Sequence, residues 1–135
     1  MALIQWDNSF SVNVAEIDKQ HQMLVTMINN LNDAMKQGKG KDMLASIISG
    51  LFNYAREHFA TEEKYFDKFG YSAAATHKLE HKNFATKISE FKESFEKGQI
   101  ALTIDVMNFL KDWLQNHIKI SDKKYGPFFN EKGLK

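Results

Sequence analysis

The chain has no cysteine, which excludes a disulfide framework, a thiolate zinc site, a cysteine nucleophile and an iron–sulfur cluster. Any metal must be held by nitrogen and oxygen. One proline and seven glycines in 135 residues are too few for a flexible linker or a low-complexity tract. Charge of one sign is also lacking: eighteen Lys and Arg oppose seventeen Asp and Glu, leaving +1. That balance gives no footprint for nucleic acid or an anionic membrane surface. Charged residues interrupt every apolar run well before membrane-spanning length. The start, Met1-Ala-Leu-Ile-Gln-Trp-Asp, has no basic stretch followed by an apolar one, so a cytoplasmic protein is expected. What is present is 43% hydrophobic and 13% aromatic residues, enough for one domain over 1–135 with one core.

Glycine punctuates this chain at Gly38, Gly40, Gly70, Gly98 and Gly126-Pro127. The intervals predict an arm over 1–17, helices over 18–37, 41–69, 73–97 and 104–121, and a tail over 122–135 with room for a short helical turn near Lys123. Asp18, Ser72 and Thr103 are the expected N-caps, with glycine just after the ends of the first three helices. Apolar residues recur in steps of three and four within each helix. Leu24, Ile28, Leu31 and Met35 set the first seam; Leu44, Ile48, Leu51 and Ala55 the second; Phe84, Ile88, Phe91 and Phe95 the third; Val106, Leu110 and Trp113 the fourth. Four seamed helices with short connections predict an all-α, antiparallel up-down-up-down four-helix bundle.

Continuing each seam by the same steps meets every histidine in the chain: His21, His58, His77, His81 and His117, with Glu62 one turn after His58. With about two positions in seven on a seam, five random histidines would all fall there with a probability on the order of 0.002. Each buried polar group left unsatisfied costs about 1–3 kcal/mol, and a lone buried carboxylate costs more. These groups must therefore satisfy one another, which requires a common height in the bundle. About a pivot at 39, His21 lies 18 residues before and His58 19 after. Similar counts about pivots near 71 and 100 agree to roughly one helical turn at about 1.5 Å per residue.

One layer of five imidazoles and a carboxylate inside a bundle is a metal site, and its size suggests two ions. His58 with Glu62, and His77 with His81, have the i, i+4 spacing that aims two donors from one helix at a common point. Asp122 is the candidate second carboxylate. It stands five residues after His117, a rotation of about 140° on an α-helix, so it reaches the layer only if the fourth helix loosens or ends there. Tyr54 reads as an ordinary half-buried tyrosine, and Gly50 marks a close helix contact.

The ordered set Ile17-Asp18-x-x-His21, His58-x-x-x-Glu62, His77-x-x-x-His81 and His117-x-x-x-x-Asp122, with Trp6 and the Tyr125-Gly-Pro-Phe tail, resembles the hemerythrin family in its bacterial single-domain form. The likeness covers nearly the whole chain and supports Asp122. Asn13 departs from it, standing where the family commonly has glycine; asparagine also tolerates a left-handed backbone. The resemblance implies two iron ions bridged by Glu62, Asp122 and an oxo or hydroxo group, with His77, His81 and His117 on one iron and His21 and His58 on the other. It further implies an open position on the second iron, where dioxygen binds reversibly for storage, transport or delivery. Reversibility calls for a dry pocket, whose candidate lining is Leu24, Ile28, Phe59, Trp113, Leu114 and Ile120.

Rival functions are an oxygen- or redox-sensing module and a di-iron oxidase or peroxide-handling enzyme. Ferritin-like sites use Glu-x-x-His on two helices. Here the residues three before the histidines are Asp18, Ala55, Ala74, Lys78 and Leu114, so that motif is absent. A hydrolytic dimetal site has no candidate substrate groove. The expectation is therefore a binding protein and not an enzyme. Its partner would be dioxygen, with an oxygen-consuming enzyme as a recipient and oligomeric state left open.

Overall fold

Asp18 does not cap the first helix. In the computed structural model, which describes residues 4–98 and 102–135, helix α1 runs from Ala15 to Lys36 and begins a turn early. The Asp18 carboxylate instead reaches back, accepting the Val12 N–H at 2.8 Å and the Ser11 hydroxyl at 2.5 Å. It thereby closes the turn in which Asn13 takes φ 60°, the left-handed conformation expected of it. The first three residues of the arm and the pivot near 100 lie outside the described residues.

Helix α2 spans Gly40–Phe69 and ends on Gly70 in the left-handed conformation, with the Gly70 and Tyr71 N–H groups both donating to the Phe66 carbonyl. Helix α3 spans Ala74–Glu96. Ser72 does not cap it, because the Tyr71 carbonyl already takes the Ala74 N–H in a turn. The fourth rod begins with α4, Leu102–Trp113, so Thr103 lies inside its first turn. It continues as a π-helix over Leu114–Asp122 and then as α5, Lys123–Glu131. The tail expected over 122–135 is thus largely helical, and Gly126-Pro127 lies within α5. Pro127 stands inside α5 and removes the N–H that would have served the Lys123 carbonyl at the junction with the π-helix.

Helix α1 packs on α2 and α4, and α3 packs on α2 and α4, giving the expected four-helix bundle. The core is not one cluster. Leu24, Ile28, Leu51, Phe84, Leu110 and their neighbours form a large apolar cluster. Val12, Val14, Ile17, Phe66, Tyr125 and Phe129 form a second. The layer of histidines and carboxylates lies between them along the sequence of every helix it draws on. Gly126 lets the arm approach α5, since a Cβ there would meet the Val12 carbonyl oxygen at 2.7 Å. Gly50 faces the Met27 sulfur in the same way, at 2.9 Å, the close contact anticipated for it.

Candidate metal centre

The structure brings together all seven residues singled out in the sequence. His21 comes from α1, His58 and Glu62 from α2, His77 and His81 from α3, and His117 and Asp122 from the π-helical segment, each with no more than 3% of its surface exposed. The π-helix explains how Asp122 arrives. Its i→i+5 bonding carries residue i+5 to the face where an α-helix would carry i+4. Asp122 accordingly places Oδ1 3.0 Å from His117 Nε2 and 2.7 Å from His77 Nε2, while Oδ2 lies 2.9 Å from His21 Nε2. Glu62 places Oε1 3.0 Å from both His58 Nε2 and His81 Nε2, and Oε2 3.7 Å from His77 Nε2.

Two sets of donor atoms result. One atom each from Glu62, His77, His81 and His117 lies within 4.8 Å of the others, and so does one each from His21, His58, Glu62 and Asp122. Glu62 belongs to both. Short as these separations are, their angles do not make hydrogen bonds. Both oxygens of Glu62, both of Asp122, and Nε2 of His77, His81 and His117 are buried without a hydrogen-bond partner. So many orphaned atoms, at about 1–3 kcal/mol each, would exhaust the stability of a domain. The donor chemistry fits a metal pair. Divalent ions take imidazole nitrogen and carboxylate oxygen at roughly 2.1 Å, which sets neighbouring donors of an octahedron about 3.0 Å apart. His21 Nε2 and His58 Nε2 stand 3.0 Å apart.

The carboxylates and imidazoles of the layer shift one another's protonation. Burial pulls the His77 imidazolium down, but Asp122 and Glu62 beside it outweigh burial and raise it to about 10. His117 is raised in the same way, against burial, chiefly by Asp122. Burial wins at His58, which is lowered. Burial alone would lift Glu62, yet His58 and the other imidazoles around it hold it well below its ordinary 4.5. Asp122 is likewise held below the usual carboxylate range, against burial and the Glu62 charge, by His117 and His21.

These shifts fix the sign of the pH dependence. A raised His77 stabilises the metal-free fold fully below the ordinary 6.5, and that stability is lost as pH climbs through about 10. The depressed carboxylates stabilise it above their ordinary values and lose this on acidification. Denaturant melts of the metal-free chain should therefore weaken steadily from pH 6.5 to 10, while the loaded chain, whose imidazoles bind as neutral ligands, should not. Loading at pH 7 should also expel a proton from His77. Metal uptake without acid release in a weakly buffered titration would contradict this protonation scheme.

Five of the six proposed lining residues, Leu24, Ile28, Phe59, Trp113 and Leu114, are buried in the large apolar cluster. Phe59 stacks on His81 at 3.8 Å between ring centroids and Trp113 on His117 at 3.9 Å, so both cover imidazoles of the layer. Ile120 is a correction. It is 53% exposed, because the π-helix carries Asp122 inward from His117 and turns the position three after His117 out to solvent. Tyr54 is another, being buried and not half-buried, with its ring stacked on His58 at 5.0 Å. Its hydroxyl and the Trp113 indole N–H have no hydrogen-bond partner, so this wall is not wholly apolar. The sequence reading missed Gln20, Glu63 and Glu80, whose side chains meet the outer nitrogens of His58, His81 and His117. Their signal was adjacency, since each directly precedes or follows a residue of the layer in the chain.

A family model described as the hemerythrin HHE cation binding domain matches residues 12–129. The bacteriohemerythrin of Methylococcus capsulatus is 34% identical over 128 residues, covering 94% of this chain and 97% of that protein. The bacteriohemerythrin of Pseudomonas aeruginosa is 35% identical over 125 residues, covering 93% and 80%. Among solved structures, wild-type hemerythrin superposes with a TM-score of 0.83 at 34% identity, covering 93% of this chain and 97% of that one. A leucine-to-alanine mutant of hemerythrin gives 0.84 at the same identity, covering 94% and 97%.

Proposed function

The chain belongs to the hemerythrin family, and on that premise we propose which of its residues perform the family's function, dioxygen binding at a non-haem di-iron centre. His77, His81 and His117 hold one iron, His21 and His58 hold the other, and Glu62 and Asp122 bridge them. The observation that carries this reading is the placement of Glu62 and Asp122, each lying between imidazoles of both halves with both oxygens unpartnered. When bound, the two irons supply one electron each to dioxygen and recover them on release.

The protein's part is to keep that exchange reversible. Phe59, Trp113 and Tyr54 shield three of the imidazoles by stacking on His81, His117 and His58. Leu24, Ile28 and Leu114, each with no exposed surface, close the apolar side of the layer against water. No described helix is long and apolar enough to cross a membrane. We place the function in the cytoplasm, where a reducing environment maintains the reduced centre. Residues 1–135 act there as one domain that stores oxygen or delivers it to an oxygen-consuming enzyme, without turnover of its own.

The test is an optical titration of the reduced, iron-loaded protein with oxygen, followed by evacuation. A near-ultraviolet oxo-to-iron band and a spectrum that returns on evacuation are expected. Irreversible oxidation with product formation would make the protein an enzyme, and a colourless protein that takes up only zinc would overturn the di-iron assignment.

A further inference from the structure

Each imidazole of the layer has a second nitrogen, and the partner of that nitrogen distinguishes the two halves of the centre. In the three-histidine half, His81 Nδ1 donates to Glu63 Oε2 at 3.0 Å and His117 Nδ1 donates to Glu80 Oε1 at 3.1 Å. The Ser121 hydroxyl holds Glu80 in place with a 2.8 Å hydrogen bond to the same oxygen. In the two-histidine half, His58 Nδ1 donates to Gln20 Oε1 at 2.6 Å. The orientation of that amide follows from its surroundings. The Thr61 hydroxyl spends its one hydrogen on the Glu57 carbonyl at 2.9 Å, so it can only accept from Gln20 Nε2, at 3.2 Å. The amide oxygen is thereby turned to His58. His21 Nδ1 is buried with no hydrogen-bond partner.

A carboxylate that accepts the outer N–H of a metal-bound imidazole makes the inner nitrogen a stronger donor and locks the ring toward the ion. A neutral amide accepts a weaker bond and brings no charge. One half therefore has three imidazoles, two of them backed by carboxylates, and the other has two imidazoles, one backed by an amide and one by nothing. We infer that Gln20, Glu63 and Glu80 are positioning residues that make the two metal sites unequal. The site of His77, His81 and His117 fills first and holds its ion tightly; the site of His21 and His58 fills second and holds its ion weakly. A chain short of metal then carries one ion in the three-histidine half, with the half assigned to dioxygen still empty. This inference rests on the ligand assignment proposed above.

Titration of the metal-free protein with cobalt(II) under nitrogen, followed by visible ligand-field absorption and calorimetry, separates the two ideas. Two steps at least about tenfold apart in affinity are expected, with His21→Gln abolishing only the weaker one. Removing an outer partner of a metal-bound imidazole typically weakens binding about 10–100-fold. Glu80→Gln should weaken the tight step by that order and spare the other. Gln20→Glu should strengthen the weak step, a gain of function that structural damage would not produce. Two steps of equal affinity, or an effect of Gln20→Glu on the tight step, would overturn the inequality while leaving the ligand assignment intact. Failure of the folded protein to take up a second cobalt at any concentration would overturn the ligand assignment itself.

Discussion

Glu62→Ala should empty both halves of the centre at once. Glu62 is the one residue shared by the two donor sets, it has no exposed surface, and its Oε1 lies 3.0 Å from an imidazole of each half. Iron content should fall from two per chain to less than one. Stability should fall with it, because the energy of binding at such a site is also energy of folding. Even without metal, deleting one partner of a buried charged cluster costs about 3–5 kcal/mol, which for a chain of this length lowers the melting temperature by on the order of 10–20 °C. Metal analysis and calorimetry on the same samples check both. Glu90→Ala is the control, a residue whose side chain is 60% exposed and far from the layer in sequence. A Glu62→Ala protein that retained two irons would overturn the bridging role.

Phe59→Ala should have the next largest effect, and it separates the pocket that the structure builds from the one expected. Loss of a buried phenylalanine costs about 3–5 kcal/mol through lost apolar contact and the cavity left behind. The same change uncovers His81, on which the Phe59 ring lies flat at an interplanar angle of 5°. Water gains a path to the reduced centre, so spontaneous oxidation in air should accelerate severalfold. Ile120→Ala should change stability by no more than about 0.5 kcal/mol and leave oxidation unaffected, because the side chain is at the surface. Stopped-flow spectra of reduced protein mixed with aerated buffer give the oxidation rates. Equal rates for Phe59→Ala and the unaltered protein would show that this wall does not exclude water.

The difference between Phe59 and Ile120 marks where a periodic reading stops. Steps of three and four hold while the backbone bonds i→i+4, as it does through α1, α2 and α3, and there the seam positions are buried as anticipated except Met35 and Phe95, one near the end of α1 and one near the end of α3, which are half-buried. From Leu114 onward the bonding is i→i+5. Ile120 then faces solvent, and Asp122, out of phase by α-helical counting, faces the histidine layer. The same change of bonding leads into α5, which is longer than the short turn expected near Lys123 and runs through the Gly126-Pro127 pair taken as punctuation. Helix starts were also misplaced, because Asp18 serves the preceding turn and the Tyr71 carbonyl does the work assigned to Ser72.

The sequence by itself determined the bundle, its chain order and six of the seven residues buried together in the layer, because an imidazole or carboxylate on an apolar seam is buried wherever the helix packs. Its agreement in height across the hairpins followed from counting residues at a constant rise. For Asp122 the spacing posed the question, and family resemblance supplied the answer before its geometry was known. Only the tertiary structure decided how that residue reaches the layer, through a π-helix held between α3 and the N-terminal arm by contacts such as Ser121 with Glu80 and Lys123 with the Asn8 carbonyl. It alone decided the partners of the outer nitrogens as well. Gln20, Glu63 and Glu80 reach histidines 18 to 38 positions away in the chain, and bonds across helices depend on the rotation of each helix about its axis, which local periodicity does not specify to the precision of a hydrogen bond.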